Sequence, residues 1–273
     1  MATPDRRGRL RGHGVFAADA LYTVLRAIAR HAGSFYKALG IYIVSGATLA
    51  VILTWAFAAV AGQVQSGRTQ RFDEAVLGWM AAHRIYWIER SLLEITALGT
   101  GLVVMAIVVV AALFLGLTEH RYSALLLLIA TAGGIILNNV LKLTFARPRP
   151  QVFEWATDVL SSSFPSGHAM SSAIVYSTVA YLAARLQRKR WERALTMLVA
   201  LGIIALVSVS RMYLGVHYPS DVIGGTVIGL AWAAFCMAGL EAVRVFAQRY
   251  RPRELRHERD LDPKERRASG LPP

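Results

Sequence analysis

Apolar residues are concentrated in six long runs that are separated by short polar segments. Each run has roughly the 20 residues that a helix needs to cross the hydrocarbon core of a bilayer, and acidic residues are rare inside the runs. The pattern therefore predicts an all-α polytopic membrane protein, folded as a bundle of six transmembrane helices. The runs cover residues 38–62, 92–117, 122–145, 167–186, 194–213 and 220–243.

The segments outside the runs are too short for a second domain with its own core, so residues 38–244 form one predicted membrane domain. A basic N-terminal segment, residues 1–37, precedes it. From position 15 its apolar residues have helical spacing, which is typical either of an amphipathic helix on the inner membrane surface or of a lead-in to the first span. Residues 63–91 are predicted to carry a short helix that caps the bundle. Residues 245–273 are basic and are predicted to be a mostly disordered tail.

The positive charge supports this topology and argues against nucleic acid as a partner. The formal net charge is +13, but 22 of the 30 Lys and Arg residues fall in segments that the alternation of runs places on one side of the membrane. An excess of Lys and Arg marks the cytoplasmic side. Both termini are therefore predicted to be cytoplasmic, in a multi-pass protein of the inner (plasma) membrane. The single cysteine, Cys236, excludes an intramolecular disulfide.

Three short polar segments stand at the ends of the runs, all on the periplasmic or extracellular side of the predicted topology. Four of the eight Lys and Arg residues on that side lie in the first and third segments. Charges flanked by apolar runs are costly in a membrane, so we expect them to serve a site. The segments are Lys142–Pro150 (KLTFARPRP), Phe164–His168 (FPSGH) and Ser210–Asp221 (SRMYLGVHYPSD).

Side chains and backbone suited to a phosphate group recur in these segments. Lys142, Arg149 and Arg211 would repel one another unless an anion lay between them, and guanidinium groups bind phosphate through forked pairs of N–H donors. Ser166 is predicted to be the N-cap of the fourth helix. Gly167 permits close approach of the backbone, and free N–H groups at a helix N-terminus attract phosphate. These five residues are the predicted phosphate-binding set.

Two histidines and an aspartate supply the remaining chemistry. Phosphoryl transfer needs a nucleophile in line with the leaving group and a proton donor for the leaving oxygen. His217 is followed four positions later by Asp221, which can hold one ring nitrogen while the other faces the phosphate. His217 is therefore the predicted nucleophile. His168 has no nearby acid in the sequence and is the predicted general acid.

Simpler explanations exist for each residue taken singly. Lys142 could extend its side chain to the membrane surface, Arg211 could close a loop by a salt bridge with Asp221, and two histidines with one aspartate could bind zinc. Three neighbouring cations disfavour a divalent metal, and a shared membrane face favours one common site. Phe153 and Trp155 could contact the substrate, although anchoring at the interface is the simpler account. The sequence thus predicts a phosphate site without metal or cofactor.

Together the segments resemble the type 2 phosphatidic acid phosphatase family, whose pattern is K-x6-R-P, then P-S-G-H, then S-R-x5-H-x3-D. The order and the spacing both match, and the resemblance covers about residues 90–243. Of the two Arg-Pro pairs in the first segment, only Arg149–Pro150 has the required distance from Lys142. Arg147 is therefore assigned a supporting role at most.

The resemblance implies a metal-independent membrane lipid phosphatase. In such enzymes the histidine matching His217 forms a phosphohistidine, the one matching His168 protonates the leaving group, and the acid matching Asp221 orients the nucleophile. Expected substrates are undecaprenyl diphosphate, phosphatidic acid or phosphatidylglycerol phosphate. Two alternatives stay open: a lipid phosphotransferase that uses the same phosphohistidine, and a non-catalytic protein that binds or transports lipids. The oligomeric state cannot be read from the sequence.

Overall fold

The computed structural model describes residues 43–156 and 161–249, with side chains described as far as Val243. Within these residues all regular structure is helical, which confirms the all-α prediction. The predicted amphipathic segment at 15–37 and the tail from residue 250 lie outside the described residues. The helices are α1 (Ile43–Gln65), α2 (Gln70–Ala82), α3 (Tyr86–Thr96), a 3-10 turn (Ala97–Gly99), α4 (Gly101–Leu117), α5 (Arg121–Phe145), α6 (Gly167–Leu186), α7 (Arg190–Tyr213) and α8 (Pro219–Arg249).

Four of the described helices are long and apolar enough to cross a membrane, namely α1, α5, α7 and α8. A fifth span is possible if α3 and α4 count as one, although they meet at an angle of 48°. The predicted run 92–117 crosses this joint, so it is not the single straight helix that its composition indicates. The structure therefore supports four or five candidate spans, one or two fewer than the six apolar runs.

The joint between α3 and α4 is held by α6. The Tyr176 hydroxyl donates a hydrogen bond to the Leu98 carbonyl at 2.9 Å, and the Ser171 hydroxyl donates one to the Gly99 carbonyl at 3.3 Å. A break in a helix at membrane depth is tolerated where protein satisfies the freed backbone groups. These two side chains do so, which explains how an apolar run can bend here.

Helix α6 lies inside the bundle, where it packs against α4, α5 and α7. More than half of its residues are buried, among them the polar Ser172 and Thr178. Small and hydroxyl-bearing residues are favoured where one helix packs on others. A helix that faces protein on most sides does not need the apolar surface of one that faces lipid. This is consistent with α6 having 20 residues without being among the candidate spans.

Helices α6 and α8 approach each other at backbone distance. A methyl group added at Gly225 would lie 2.5 Å from the Ser166 carbonyl oxygen, and one at Gly229 would lie 2.7 Å from that of Met170. Glycines four residues apart on one helix face permit such close packing. As a result the first turn of α8 lies beside the start of α6, and the Ser166 N–H donates to the Asp221 carbonyl at 3.0 Å.

The predicted short helix between the first two runs is present as α2. Its buried face carries Asp73 and Leu77, one turn apart, whereas Phe72 and Trp79 are exposed. The apolar pattern in the sequence therefore located the helix but not its buried side. A carboxylate that is fully buried on a helix needs partners, and those of Asp73 lie at the site described next.

Candidate active site

The three polar segments meet at one end of the bundle, where α5 and α7 end and α6 and α8 begin. Electrostatic interactions reach His168 from Arg211, His217, Lys142 and Arg149, which places all five side chains in one site. Residues 161–166 form a segment that contacts these side chains. Phe164 fixes this segment in the bundle, because its fully buried ring packs on those of Phe57 and Phe145 at centroid distances of 5.8 and 4.9 Å.

Lys142 and Arg149 converge on Ser161. The Lys142 ammonium donates to the Ser161 hydroxyl at 2.8 Å and to the Ser162 carbonyl at 3.0 Å. The Arg149 guanidinium donates through Nε to the Ser161 carbonyl at 2.8 Å and through Nη1 to the Val216 carbonyl at 2.6 Å. Burial lowers the pKa of Arg149, which indicates that this cation has lost solvation without gaining a full counter-charge.

Arg211 is the third cation, and it enters from the end of α7. Its Nη1 donates to the Thr96 hydroxyl at 3.0 Å, while its buried Nε has no hydrogen-bond partner among the described residues. Thr96 lies at the α3–α4 joint, so the bend brings a hydroxyl to the site. Buried guanidinium donors are rarely left unpaired, and an unpaired one facing two further cations is suited to an anion.

His217 lies between the carboxylate and the cations. Its Nδ1 is 3.6 Å from Asp221 Oδ2, and its Nε2 is 3.3 Å from Arg149 Nη1. Burial lowers the pKa of His217 to about 4; the Asp221 carboxylate offsets this effect only in part, and Arg149 lowers the pKa further. The imidazole is therefore neutral near pH 7, and Nε2 offers a lone pair on the side of the cations.

Asp221 is fully buried, and its two oxygens have different partners. Oδ2 accepts hydrogen bonds from the Tyr218 N–H at 2.8 Å and from the Ser163 hydroxyl, and it is the oxygen nearest His217. Oδ1 accepts from Arg147 Nη1 at 2.6 Å. The carboxylate is therefore fixed in rotation as well as in position.

Arg147 does not face the three cations. Its guanidinium pairs with Asp221 and, at 2.9 Å, with Asp73 Oδ2, and it lies 4.2 Å from the ring centroid of Tyr218. Burial disfavours the charged form, but the Asp221 and Asp73 carboxylates outweigh it and raise the pKa of Arg147. Arg147 thus joins two buried acids, a contact that the sequence did not indicate.

The start of α6 differs in one detail from the expectation. Ser166 occupies the N-cap position, but its side chain makes no capping hydrogen bond. Its hydroxyl is buried without a partner among the described residues. A methyl group at Gly167 would lie 3.3 Å from the Asn138 amide nitrogen and 3.7 Å from Lys142 Cε. Lys142 thus lies beside the N-terminus of α6, where backbone N–H groups favour an anion, and the neighbouring serine hydroxyl is free to donate.

His168 lines a cavity of about 200 Å³ between α4, α5 and α6. Its other walls include Met105, Ile135, Ile174 and Asn138, whose buried amide oxygen also has no partner among the described residues. The cavity is thus mainly apolar, with polar groups at the histidine. No signal in the sequence marked Asn138 or Thr96, since both lie inside apolar runs without a motif.

The two aromatic residues of the intervening loop have structural contacts. The Trp155 indole N–H donates to the Pro150 carbonyl at 2.7 Å. Phe153 packs against Gly215, whose positive φ of 77° suits glycine, and its ring lies 4.8 Å from the Arg84 guanidinium carbon. Both rings hold the loop that carries Arg149. Among the described residues, no three His, Cys, Asp or Glu side chains are grouped as metal ligands would be.

Comparison with known proteins places this geometry in a family. The model of the PAP2 superfamily matches residues 121–245. Phosphatidylglycerophosphatase B of Bacillus subtilis (strain 168) is 31% identical over 194 residues, which cover 71% of this chain and 95% of that protein. The chain belongs to the PAP2 superfamily. The predicted family is thus confirmed.

Two further relatives resemble this PAP2 protein, one in its crystal structure and one in its sequence. The crystal structure of a transmembrane PAP2 type phosphatidylglycerolphosphate phosphatase from Bacillus subtilis aligns with a TM-score of 0.64 and 30% identity, over 74% of this chain and 97% of that one. Undecaprenyl-diphosphatase of Sulfolobus acidocaldarius is 36% identical over 140 residues, which cover 49% of this chain and 62% of that protein. This PAP2 protein is accordingly a membrane lipid phosphatase, and the predicted enzyme class is confirmed.

Proposed function

We propose that this PAP2 phosphatase hydrolyses a lipid phosphate or diphosphate through a phosphohistidine on His217. The observation that carries the proposal is the setting of the buried imidazole, with Nδ1 toward Asp221 and Nε2 toward Arg149. In this orientation the carboxylate can stabilise the charge that develops on the ring as Nε2 attacks phosphorus.

The substrate phosphate would lie between Lys142, Arg149 and Arg211. The Ser166 hydroxyl and the N–H groups at Gly167 would add donors that match the oxygens of the transition state. Entry of the phosphate would replace Ser161 as the partner of Lys142. The three cations supply the charge neutralisation for which other phosphatases use a metal ion, so we expect activity in the presence of a chelator.

The proposed reaction has two steps. In the first, Nε2 of His217 forms a bond to phosphorus as the bond from phosphorus to the leaving oxygen breaks, and His168 gives its proton to that oxygen. In the second, the now neutral His168 takes a proton from water, whose oxygen attacks phosphorus and releases inorganic phosphate from His217. Asp221 keeps its charge throughout.

Phosphatidylglycerol phosphate and undecaprenyl diphosphate are the proposed substrates to test first, followed by phosphatidic acid. This order is supported by two relatives, which are named as a phosphatidylglycerophosphatase and an undecaprenyl-diphosphatase. The apolar cavity beside His168 suits a lipid leaving group. We further propose that α6 completes a six-span domain over residues 38–244. In this arrangement both termini are cytoplasmic, and the site faces the periplasmic or extracellular side of the inner membrane.

The test is phosphate release by the purified protein from these three lipids, with EDTA present and with His217→Ala as the control. Release that EDTA does not affect and that His217→Ala abolishes is expected. An acid-labile, alkali-stable phosphoprotein should form with ³²P-labelled lipid in the wild type and be absent in His217→Ala. Transfer of label to a second lipid would instead indicate a phosphotransferase, and no turnover with any lipid would favour a binding protein.

A further inference from the structure

A buried ionic network links α2 to the active site, and none of the three motifs predicts it. Asp73 Oδ1 accepts a hydrogen bond from the Ser220 N–H at 3.0 Å. Asp73 Oδ2 accepts from the Ser220 hydroxyl at 2.5 Å and from Arg147 Nη2 at 2.9 Å. Arg147 also donates to the Ser220 hydroxyl at 2.8 Å. Every polar atom of the Asp73 side chain is thus satisfied by groups next to Asp221.

Stability alone is a weak reason for such a network. Asp73 and Asp221 are fully buried, and only 9% of Arg147 is exposed. Removing three charges from water costs more than their attraction recovers in most measured cases, and apolar side chains of similar volume often serve as well. Buried ionic groups are better explained where they fix an orientation that the chemistry needs.

The orientation at stake is that of the Asp221 carboxylate. Arg147 holds Oδ1, so the carboxylate cannot turn, and Oδ2 remains the oxygen that faces His217. At 3.6 Å this contact is longer than a hydrogen bond, and catalytic contacts of this kind shorten when the substrate binds. Without its anchor the carboxylate could rotate toward other donors, and the imidazole would lose the partner that sets its tautomer.

We propose that Arg147 and Asp73 are positioning residues that hold the Asp221 carboxylate toward His217. Helix α2, which carries Asp73, thereby contributes to the active site. Arg147 acts directly on Asp221, and Asp73 acts through Arg147 and Ser220. The inference rests on the proposed role of His217 as nucleophile. It assigns the two residues no contact with the substrate.

The experiment is a mutant cycle built on Asp73→Asn and Arg147→Lys, each also combined with Asp221→Ala. Each single variant should lower kcat by about 10- to 100-fold, the loss expected when a reacting group is misplaced by up to 1 Å. KM and the inhibition constant of inorganic phosphate should change less than about threefold, because the phosphate-binding cations keep their own partners. In the Asp221→Ala background, where nothing remains to be positioned, neither change should reduce kcat further.

Arg121→Lys is the matched control. Arg121 also pairs with an acid, at 3.4 Å from Glu119, but its side chain is 80% exposed and it lies at the start of α5, at the opposite end of that helix from the site. Its replacement should leave kcat within about twofold of the wild type, as for a surface change. Asp73→Asn preserves the shape of the side chain and removes only its charge. Size exclusion in detergent determines the amount of folded protein, and kcat is expressed per folded molecule.

Three outcomes would overturn the proposal. The losses of kcat in the single variants could add fully to that of Asp221→Ala, or the inhibition constant of phosphate could rise by the same factor as kcat falls. The third outcome is that neither single variant folds. The last would assign a purely structural role. Failure of the proposed function would look different, because the wild type and Arg121→Lys would then also release no phosphate from any lipid.

Discussion

The close contact between α8 and α6 allows a strong prediction for Gly225→Ala. The new methyl group would lie 2.5 Å from the Ser166 carbonyl oxygen and 3.2 Å from its nitrogen. Both are backbone atoms, so no side-chain rotation can relieve the contact. The two helices must separate where Ser166 and Gly167 are expected to bind phosphate and where the Ser166 N–H meets the Asp221 carbonyl.

The size of the effect follows from the distances. Ordinary contact begins near 3.4 Å, so the backbone at Ser166 or at Gly225 must move by about 0.9 Å. Overpacking of this kind costs about 1–3 kcal/mol of stability. A displacement near 1 Å at a reacting group lowers the rate by about 100-fold. We therefore expect Gly225→Ala to fold with reduced stability and to lose about two orders of magnitude in kcat.

Gly239→Ala on the same helix is the control. A methyl group there has no neighbour within 4 Å among the described residues, so only helix propensity is expected to change. Alanine is favoured over glycine inside a helix by about 1 kcal/mol, and the control should be slightly more stable and fully active. Both variants are assayed for phosphate release from the best lipid substrate, and thermal unfolding in detergent gives their stability.

A Gly225→Ala enzyme with kcat within about threefold of the wild type would refute the reasoning, since a displacement near 1 Å is expected to cost far more. Equal losses in Gly225→Ala and Gly239→Ala would refute it as well, because the effect would then belong to any alanine in α8. A loss of stability without a loss of kcat would separate the helix contact from the phosphate site.

Three further predictions follow from the site. Arg149→Lys should raise KM and weaken phosphate inhibition by about tenfold, because lysine cannot replace a forked donor that bonds two carbonyls; unchanged inhibition by phosphate would contradict this. NMR of histidine-labelled protein should show His217, assigned by His217→Gln, neutral at pH 6 and gaining its proton only as the pH falls through about 4; a midpoint near 6.5 would contradict burial as the cause. Gly99→Ala places a methyl group 2.6 Å from Val207 and 3.1 Å from His168 Cδ2, so kcat should fall while phosphate inhibition persists; the reverse pattern would be inconsistent with a proton donor at His168.

Much of the site could be predicted because its residues lie in short segments with strict spacing. Lys142, Arg149, His168, Arg211 and His217 were all expected in one place, and the structure brings them together. The charges made this possible, because a cation within an apolar run is costly enough to need a reason. The lipid that enters was not predictable from these residues, since they are proposed to contact only its phosphate.

The network around Asp73 was beyond the reach of the sequence. Asp73 lies 74 positions before Arg147 on a helix whose other residues are mixed, and a single acid there resembles any solvated residue. Its burial results from tertiary packing, because α2 lies near the start of α8. Ser163 and Thr96 were missed for the same reason, since a lone hydroxyl carries no pattern of its own.

The six predicted spans correspond to only four or five candidate spans among the described helices, for a different physical reason. Hydropathy registers apolar content but not direction, so the run 92–117 gave no sign of the bend between α3 and α4. Likewise the run 167–186 predicted a membrane span but not its surroundings, and α6 is largely buried among other helices. Length and composition find helices in a membrane protein, but packing decides which of them face lipid.

The pairing of Arg147 with Asp73 also has an evolutionary consequence. Two buried carboxylates that share one guanidinium cannot lose it without leaving uncompensated charge, at a cost of about 3–5 kcal/mol. The two positions should therefore change together among homologues: a protein that lacks the arginine at 147 should also have an uncharged residue in place of Asp73. Chimaeras that exchange the segment between α1 and α3 should function only when position 147 comes from the same parent.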